Sequence, residues 1–315
     1  MQRATQLILT LYGDYVRHRG GELGVNALTE LMGSVGLSSQ ALRSALSRMA
    51  RRGLLRARRE GRRSYYSLSE SGWALLTRGA EKIFRLSTPT PWNGQWAVVS
   101  YTIPETRREL RYRLRQELIE LGYGYLGNAC WVSPNNRNRE VLLLASFLGL
   151  EGRVDLFYGT YEGSPSGRDL VRRCWDLDKT QDKYRRFLAT YRSRLQAFKT
   201  ALSSGPPWEP QACFVERFHL IHEYRRFHFF DPELPPELAP EDWLGPEAAA
   251  LFQEYHGLLE ARAFEFYDAA TQKIGGVHVA SGRNGKREVA AFENGRHASQ
   301  SPRAASRVER VAILD

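Results

Sequence analysis

The chain has 315 residues, and at roughly 150 residues per domain that length excludes a single small module and calls for two or three units with cores of their own. Hydrophobic residues at 42% and charged residues at 25% exclude a disordered or fibrous body, and the apolar stretch Val141–Leu150, interrupted by Ser146 and Gly149, falls far short of the roughly 20 residues that a membrane-spanning helix needs. The balance of 45 basic against 35 acidic residues gives a net charge of +10, and residues 1–85 alone hold fifteen Lys or Arg against six Asp or Glu, so the excess that attracts a polyanion sits almost wholly in the first quarter.

Leu7, Ile8, Leu11 and Tyr15 recur at helical spacing and predict a first amphipathic helix ending near Gly20 and Gly21. A short second helix is expected from about Val25 to Met32, broken by Gly33 to Gly36. Ser38 and Ser39 then cap a third helix over Gln40 to Arg52, in which Leu42, Ala45, Leu46 and Met49 form a buried stripe. The opposite face carries Ser39, Gln40, Arg43, Ser44, Ser47 and Arg48, hydroxyls, an amide and guanidinium forks of the kind that read base edges in a major groove. Behind it, Leu54 to Arg58 and Ser64 to Leu68 read as strands joined by Glu60-Gly61-Arg62. This hairpin bears Arg56, Arg58, Arg59, Arg62 and Arg63, followed by Tyr65 and Tyr66, a guanidinium cluster suited to phosphates or a minor groove. An isolated charge run is usually a solvated face, but three helices followed by a basic hairpin stand in winged helix-turn-helix order, which favours double-stranded DNA. RNA is disfavoured, because this segment lacks the aromatic strand pattern that stacks splayed bases.

After a Ser-Thr-Pro-Thr-Pro linker at 87–91, the chain reads as a strand (Trp96–Ile103), a helix (Glu105–Leu121), two short strands (Tyr123–Leu126 and Cys130–Ser133), a helix (Arg139–Leu148) and a strand (Val154–Thr160). That βαββαβ order is ferredoxin-like. Gly122, Gly124 and Gly127 spell a dinucleotide fingerprint, but a helix precedes them and a strand follows, the reverse of what the fingerprint requires, so they are read as a turn. Small nucleases of similar topology hold a divalent cation on an aspartate at the end of the first strand; here Ser100 and Tyr101 stand there, so hydrolysis is not expected and a dimerisation role fits better.

Helices are expected over Asp182 to Leu202, Phe214 to Phe230 and Pro246 to Ala270, with a Pro-rich turn from Asp231 to Pro240. His219, His222, Glu223 and His228 suggest the zinc motif H-E-x-x-H, yet Arg226 occupies the place of the second histidine and a guanidinium cannot ligate zinc. Arg225 and Arg226 fit either a salt-bridged helix face or the binding of an anionic effector. Cys130, Cys174 and Cys213, odd in number and without a C-x-x-C pair, are expected as buried reduced thiols, and the N-terminus lacks a secretory pattern, so a cytoplasmic protein is expected. From Thr271 onward little can be buried, and a basic, flexible tail is expected.

The stretches Leu9-Thr10-Leu11-Tyr12-Gly13-Asp14-Tyr15, Ala41-Leu42-Arg43-Ser44-Ala45-Leu46-Ser47-Arg48-Met49, Trp96-Ala97-Val98-Val99-Ser100-Tyr101 and His222-Glu223-Tyr224-Arg225-Arg226-Phe227, followed by Asp231-Pro232-Glu233-Leu234-Pro235, together resemble the PaaX family of transcriptional repressors of phenylacetate degradation, from about Leu7 to Asp268. The resemblance implies an α+β multidomain protein: a winged helix-turn-helix over 1–86, a ferredoxin-like dimerisation domain over 92–175 and a helical domain over 180–270, with a tail over 271–315 to which nothing is carried. It also implies a homodimer on an operator and release by an aryl-CoA thioester such as phenylacetyl-CoA; with no convergent nucleophile, base or metal set in the sequence, no enzymatic activity, cofactor or metal is expected. On this reading Gln40, Arg43 and Ser44 contact bases with Ser39 and Ser47 beside them, while Arg48, Arg51, Arg58, Arg59, Arg62 and Arg63, with Tyr65, meet the backbone. A nuclease and an RNA-bound interaction module are the alternatives.

Overall fold

The computed structural model describes residues 2–85, 91–163, 166–205 and 208–272. Most of the expected linker at 87–91, and all but two residues of the expected tail, lie outside the described residues. The chain combines helices with two antiparallel sheets and divides into two compact units, one of residues 1–80, 201–222 and 255–315, the other of residues 81–200 and 223–254.

In the first unit, α1 (Gln2–Asp14) runs into a 3-10 turn (Val16–His18) and a short strand, β1 (Glu22–Gly24), and the helices α2 (Val25–Ser34) and α3 (Ser39–Arg51) follow. The strands β2 (Leu55–Glu60) and β3 (Arg63–Leu68) then form a hairpin, and α4 (Glu70–Arg85) closes the run. The sheet order is β1-β3-β2, with Leu23 opposite Tyr66 and Ala57 opposite the same residue on the other side. The expected apolar stripes are buried: Leu7, Ile8, Leu11 and Tyr15 from the first helical segment, Ala27, Leu28, Leu31 and Met32 from α2, and Leu42, Ala45, Leu46 and Met49 from α3. The Tyr12 hydroxyl donates to the Tyr66 carbonyl at 2.7 Å, pinning α1 to the hairpin. The start of α4 needs a glycine for lack of room: a Cβ on Gly72 would stand 2.2 Å from the Leu54 carbonyl oxygen.

The same unit takes in parts of α9 (Pro210–Tyr224) and α10 (Gly245–Gln272). Tyr15 stacks among their rings, 4.8 Å from Phe214 and 5.1 Å from Phe264. Beside it lies a buried charge cluster: Arg217 Nη1 is 2.8 Å from Asp14 Oδ2, Asp14 Oδ1 is 2.9 Å from His256 Nε2, and Arg217 Nε donates to the His256 carbonyl at 3.3 Å. Burial alone would raise the Asp14 pKa, but the charges of His256 and Arg217 outweigh it and hold the carboxyl below its ordinary value.

In the second unit, β4 (Gln95–Tyr101), a 3-10 turn (Glu105–Arg107), α5 (Arg108–Glu120), β5 (Gly124–Gly127), β6 (Cys130–Ser133), α6 (Asn138–Phe147) and β7 (Val154–Thr160) form an antiparallel sheet in the order β5-β6-β4-β7. One face buries Ala97, Val99 and Trp131 against Leu114, Leu118, Val141 and Ala145 of α5 and α6. The other buries Trp96 and Val132 against Leu170 and Val171 of α7 (Gly167–Cys174), with Leu177 and Leu238. The three glycines after α5 serve the backbone: Gly122 and Gly127 have φ of +83° and +120°, and a Cβ on Gly124 would stand 2.5 Å from the Trp175 ring. A strand follows them, not a helix.

The helix expected from Asp182 begins earlier, as α8 (Leu177–Ser204), because Asp176 accepts from the Lys179 amide at 3.1 Å and caps it. The helix expected to reach Phe230 ends at Tyr224 and tightens into a 3-10 turn, Arg225–Phe229. The Asp231 amide closes that turn onto the Phe227 carbonyl at 2.8 Å, and Tyr184 donates to the Asp231 carboxylate. Burial pushes the Asp231 pKa up to about 6. All three cysteines are free, but only Cys213 is buried as expected; Cys130 and Cys174 are half-buried, each at the end of its element, Cys130 opening β6 and Cys174 closing α7. Among the described residues no helix is long and apolar enough to cross a membrane.

Candidate nucleic-acid interface

Helix α3 begins where the Ser38 Oγ accepts from the Ala41 amide at 3.3 Å. Its buried stripe packs on α1 and α2, which turns the other side outward. Ser39, Gln40, Arg43, Ser44, Ser47 and Arg51 are exposed there and Arg48 is half-buried. Positions 40, 44, 47 and 51 step along the helix at three- and four-residue intervals, so they form one row with Arg43 beside it. Among the described residues Arg43, Arg48, Arg51 and Arg62 make no ion pair.

The hairpin follows directly. Its turn is Gly61-Arg62, with Gly61 at φ +56°, and Glu60 opposite Arg63. Arg56, Arg58, Arg59, Arg62 and Arg63 are all exposed, but they are not equally available. Arg58 holds Glu22 with both Nε (3.2 Å) and Nη2 (2.7 Å) and Glu60 with Nη1 (2.8 Å), and hydrogen bonds to those two carboxylates raise its pKa still further. Arg56 reaches Glu70 at 3.4 Å, and Arg59 Nε donates to the Gly61 carbonyl at 3.2 Å.

Tyr65, expected beside the arginines on the outer face, is 6% exposed; its ring lies beneath the Arg58 guanidinium at 4.4 Å, where it supports that side chain instead of presenting its own. The partners Glu22, Glu60 and Glu70 escaped the sequence reading, although Glu60 lies two residues from Arg58 on the same side of a strand, a spacing the alternation rule could have flagged.

Arg225 and Arg226, the candidates for an effector, belong to the second unit. Arg226 is exposed, whereas Arg225 is half-buried, with a pKa lowered to about 10 by burial first and the charge of Arg226 second. The histidines of the failed zinc motif have other partners: His222 Nδ1 is 2.9 Å from Thr10 Oγ1, and His228 Nδ1 meets the Arg225 carbonyl. Among the described residues no group of three or more His, Cys, Asp or Glu side chains is placed to hold a metal ion.

Three family models match in series: PaaX-like protein over residues 3–72, the PaaX protein central Cas2-like domain over 89–171, and the PaaX-like protein C-terminal domain over 175–269. The transcriptional repressor PaaX of Escherichia coli (strain K12) is 33% identical over 250 residues, which cover 78% of this chain and 77% of that protein. An uncharacterized protein from Mycobacterium tuberculosis superposes with a TM-score of 0.56 at 22% identity, over 86% of this chain and 99% of that one, a likeness of fold alone.

Proposed function

The chain belongs to the PaaX family, and from that premise we propose that it is a DNA-binding transcriptional repressor, without enzymatic activity, acting in the cytoplasm on an aromatic-acid catabolic operon of the phenylacetate type. The observation that carries this reading is the outward face of α3, polar, cationic and free of ion pairs among the described residues, set immediately before a basic hairpin. Residues 1–86 are read as a winged helix-turn-helix, since helix, strand, two helices and a two-stranded ribbon succeed one another in that order. Gln40, Arg43 and Ser44, flanked by Ser39 and Ser47, then read base edges, and Arg48, Arg51, Arg59, Arg62 and Arg63 neutralise phosphates.

Residues 92–175 are read as a ferredoxin-like dimerisation domain and 180–270 as a helical domain. In support of the dimer, the central domain exposes large apolar side chains, among them Tyr112, Leu142, Leu143, Phe147 and Phe157. A two-fold dimer places two recognition helices on an inverted repeat. An aryl-CoA thioester such as phenylacetyl-CoA releases the operator if it binds the DNA-incompetent arrangement more tightly, since only a difference in affinity moves the equilibrium.

The experiment is a mobility shift on the region upstream of the protein's own operon, followed by challenge with phenylacetyl-CoA and with free CoA. A specific shift reversed by the thioester supports the reading, and equal affinity for that region and for random duplex sinks it.

A further inference from the structure

The second unit carries a concentration of positive charge that the DNA-binding reading does not use. Helix α8 turns Thr180, Tyr184 and Phe187 inward, and Lys179, Lys183 and Arg186 recur beside them at i, i+4 and i+7, a single row along the helix. Against this helix lies the turn Arg225–Phe229. Tyr184 and Phe227 stack with ring centroids 4.1 Å apart, and the Thr180 hydroxyl donates to the Phe230 carbonyl at 3.5 Å. The result is that Lys183 Nζ sits 3.3 Å from the centre of the Phe230 ring.

Like charges converge here. The Lys183 pKa is lowered, by burial first and then by the positive charges of Lys179 and Arg226, with a further contribution from Arg186 that Asp176 opposes. Elsewhere on α8 the arginines are compensated, Arg185 by Asp182 and Arg192 by Glu247. Among the described residues Lys179, Lys183, Arg186 and Arg226 make no ion pair. Four gathered cations repel one another and gain by closing on one multivalent anion.

We propose that Lys179, Lys183, Arg186 and Arg226 form a binding site for the phosphates of a nucleotide-type small molecule, with the Phe230 ring and its neighbour Phe229 as the apolar shelf beside them. Two lysines supply compact charges and two arginines supply forks for phosphate oxygens, and the rings give a flat group on the same ligand a surface to lie on. A DNA backbone would use the cations and leave that shelf idle. Placing the pyrophosphate of an acyl-CoA in this site rests on the effector reading above; the preference for phosphate does not.

The test titrates inorganic pyrophosphate, CoA and phenylacetyl-CoA into the full-length protein and into Lys183→Gln/Arg226→Gln by calorimetry, with operator binding measured in parallel. The wild type binds all three, and the double variant loses about tenfold or more in each affinity while holding the unliganded operator as before. Lys179→Gln/Arg186→Gln, two exposed positions, repeats the loss should the first pair fold poorly. Equal ligand affinity in wild type and variants overturns the site, as does failure of pyrophosphate and CoA to bind the wild type. A variant that instead loses unliganded operator overturns it in favour of a DNA-backbone contact. If the variants lose pyrophosphate and CoA but phenylacetyl-CoA never releases the wild-type operator, the site stands and the effector reading falls.

Discussion

Helix α3 and the hairpin behind it both present arginine to solvent, but in different states. On α3, Arg43, Arg48 and Arg51 make no ion pair among the described residues. On the hairpin, Arg58 is held by Glu22 and Glu60 over the Tyr65 ring, and Arg56 is drawn toward Glu70. A side chain that must leave a bidentate carboxylate to reach a phosphate exchanges one charge-assisted contact for another, so it adds little net attraction. Counting arginines therefore overstates what the hairpin can give to DNA. On the DNA-binding reading its contribution would come from the tip, where Arg62 occupies the turn and Arg59 donates to the Gly61 carbonyl.

Arg217 is the limiting case of an engaged arginine and carries the largest expected effect. At 3% exposure it is enclosed by Asp14, the His256 carbonyl and the Tyr15 ring, 5.0 Å away. Asp14→Ala leaves that cation buried without its partner and should lower unfolding free energy by about 3–5 kcal/mol, read from urea midpoints, whereas Asp14→Asn/Arg217→Met should recover much of the loss. The same pair gives a pH signature. Because the folded-state pKa of Asp14 is held below the ordinary 3.8, its contribution is fully present above that value and is lost as pH falls through the folded pKa. The wild type should therefore lose stability more steeply than Asp14→Asn below about pH 4. Parallel curves would mean that the cluster is electrostatically neutral in net effect.

Next in size is the outward face of α3, read as the base-contacting one. Arg43→Ala should weaken operator binding by about 1–3 kcal/mol and relax the choice at one base pair, with a smaller loss on random duplex. Equal losses on the two duplexes would move Arg43 to the phosphate-contacting group.

How much of this could be read in advance depends on how local each signal is. The Ser38 cap and the Leu42, Ala45, Leu46, Met49 stripe lie within one helix, and α3 begins one residue from its expected start. The strands β6 and β7 fall where alternation and turn residues put them. What escaped was decided at a distance. Strand β1 has three residues, too few to show alternation, and exists because Leu23 finds Tyr66 across the sheet. Helix α4 has no counterpart among the expected elements; it contains Gly72 and Gly79, residues that weaken a helix, yet Gly72 is there because the Leu54 carbonyl leaves no room for a Cβ. The candidate interface divides in the same way: which face of α3 turns outward follows from periodicity, while the engagement of Arg58 depends on Glu22, thirty-six residues away.

The smallest effect is the sharpest test of the comparison, because it sets two exposed arginines of one hairpin against each other. Arg62→Ala removes a cation with no ion pair among the described residues, so binding to all sequences should weaken and the slope of log affinity against log salt should fall in magnitude by about one. Arg58→Ala removes a cation already balanced by Glu22 and Glu60, and if those contacts persist in the complex the slope should hardly move, while a modest drop in melting temperature records the lost support of β1 by β2. The control is Glu22→Gln/Glu60→Gln, which frees Arg58 in place and should steepen the salt dependence. If Arg58→Ala and Arg62→Ala shift the slope equally, Arg58 abandons its carboxylates when DNA arrives, and the distinction between engaged and available arginines fails for this hairpin.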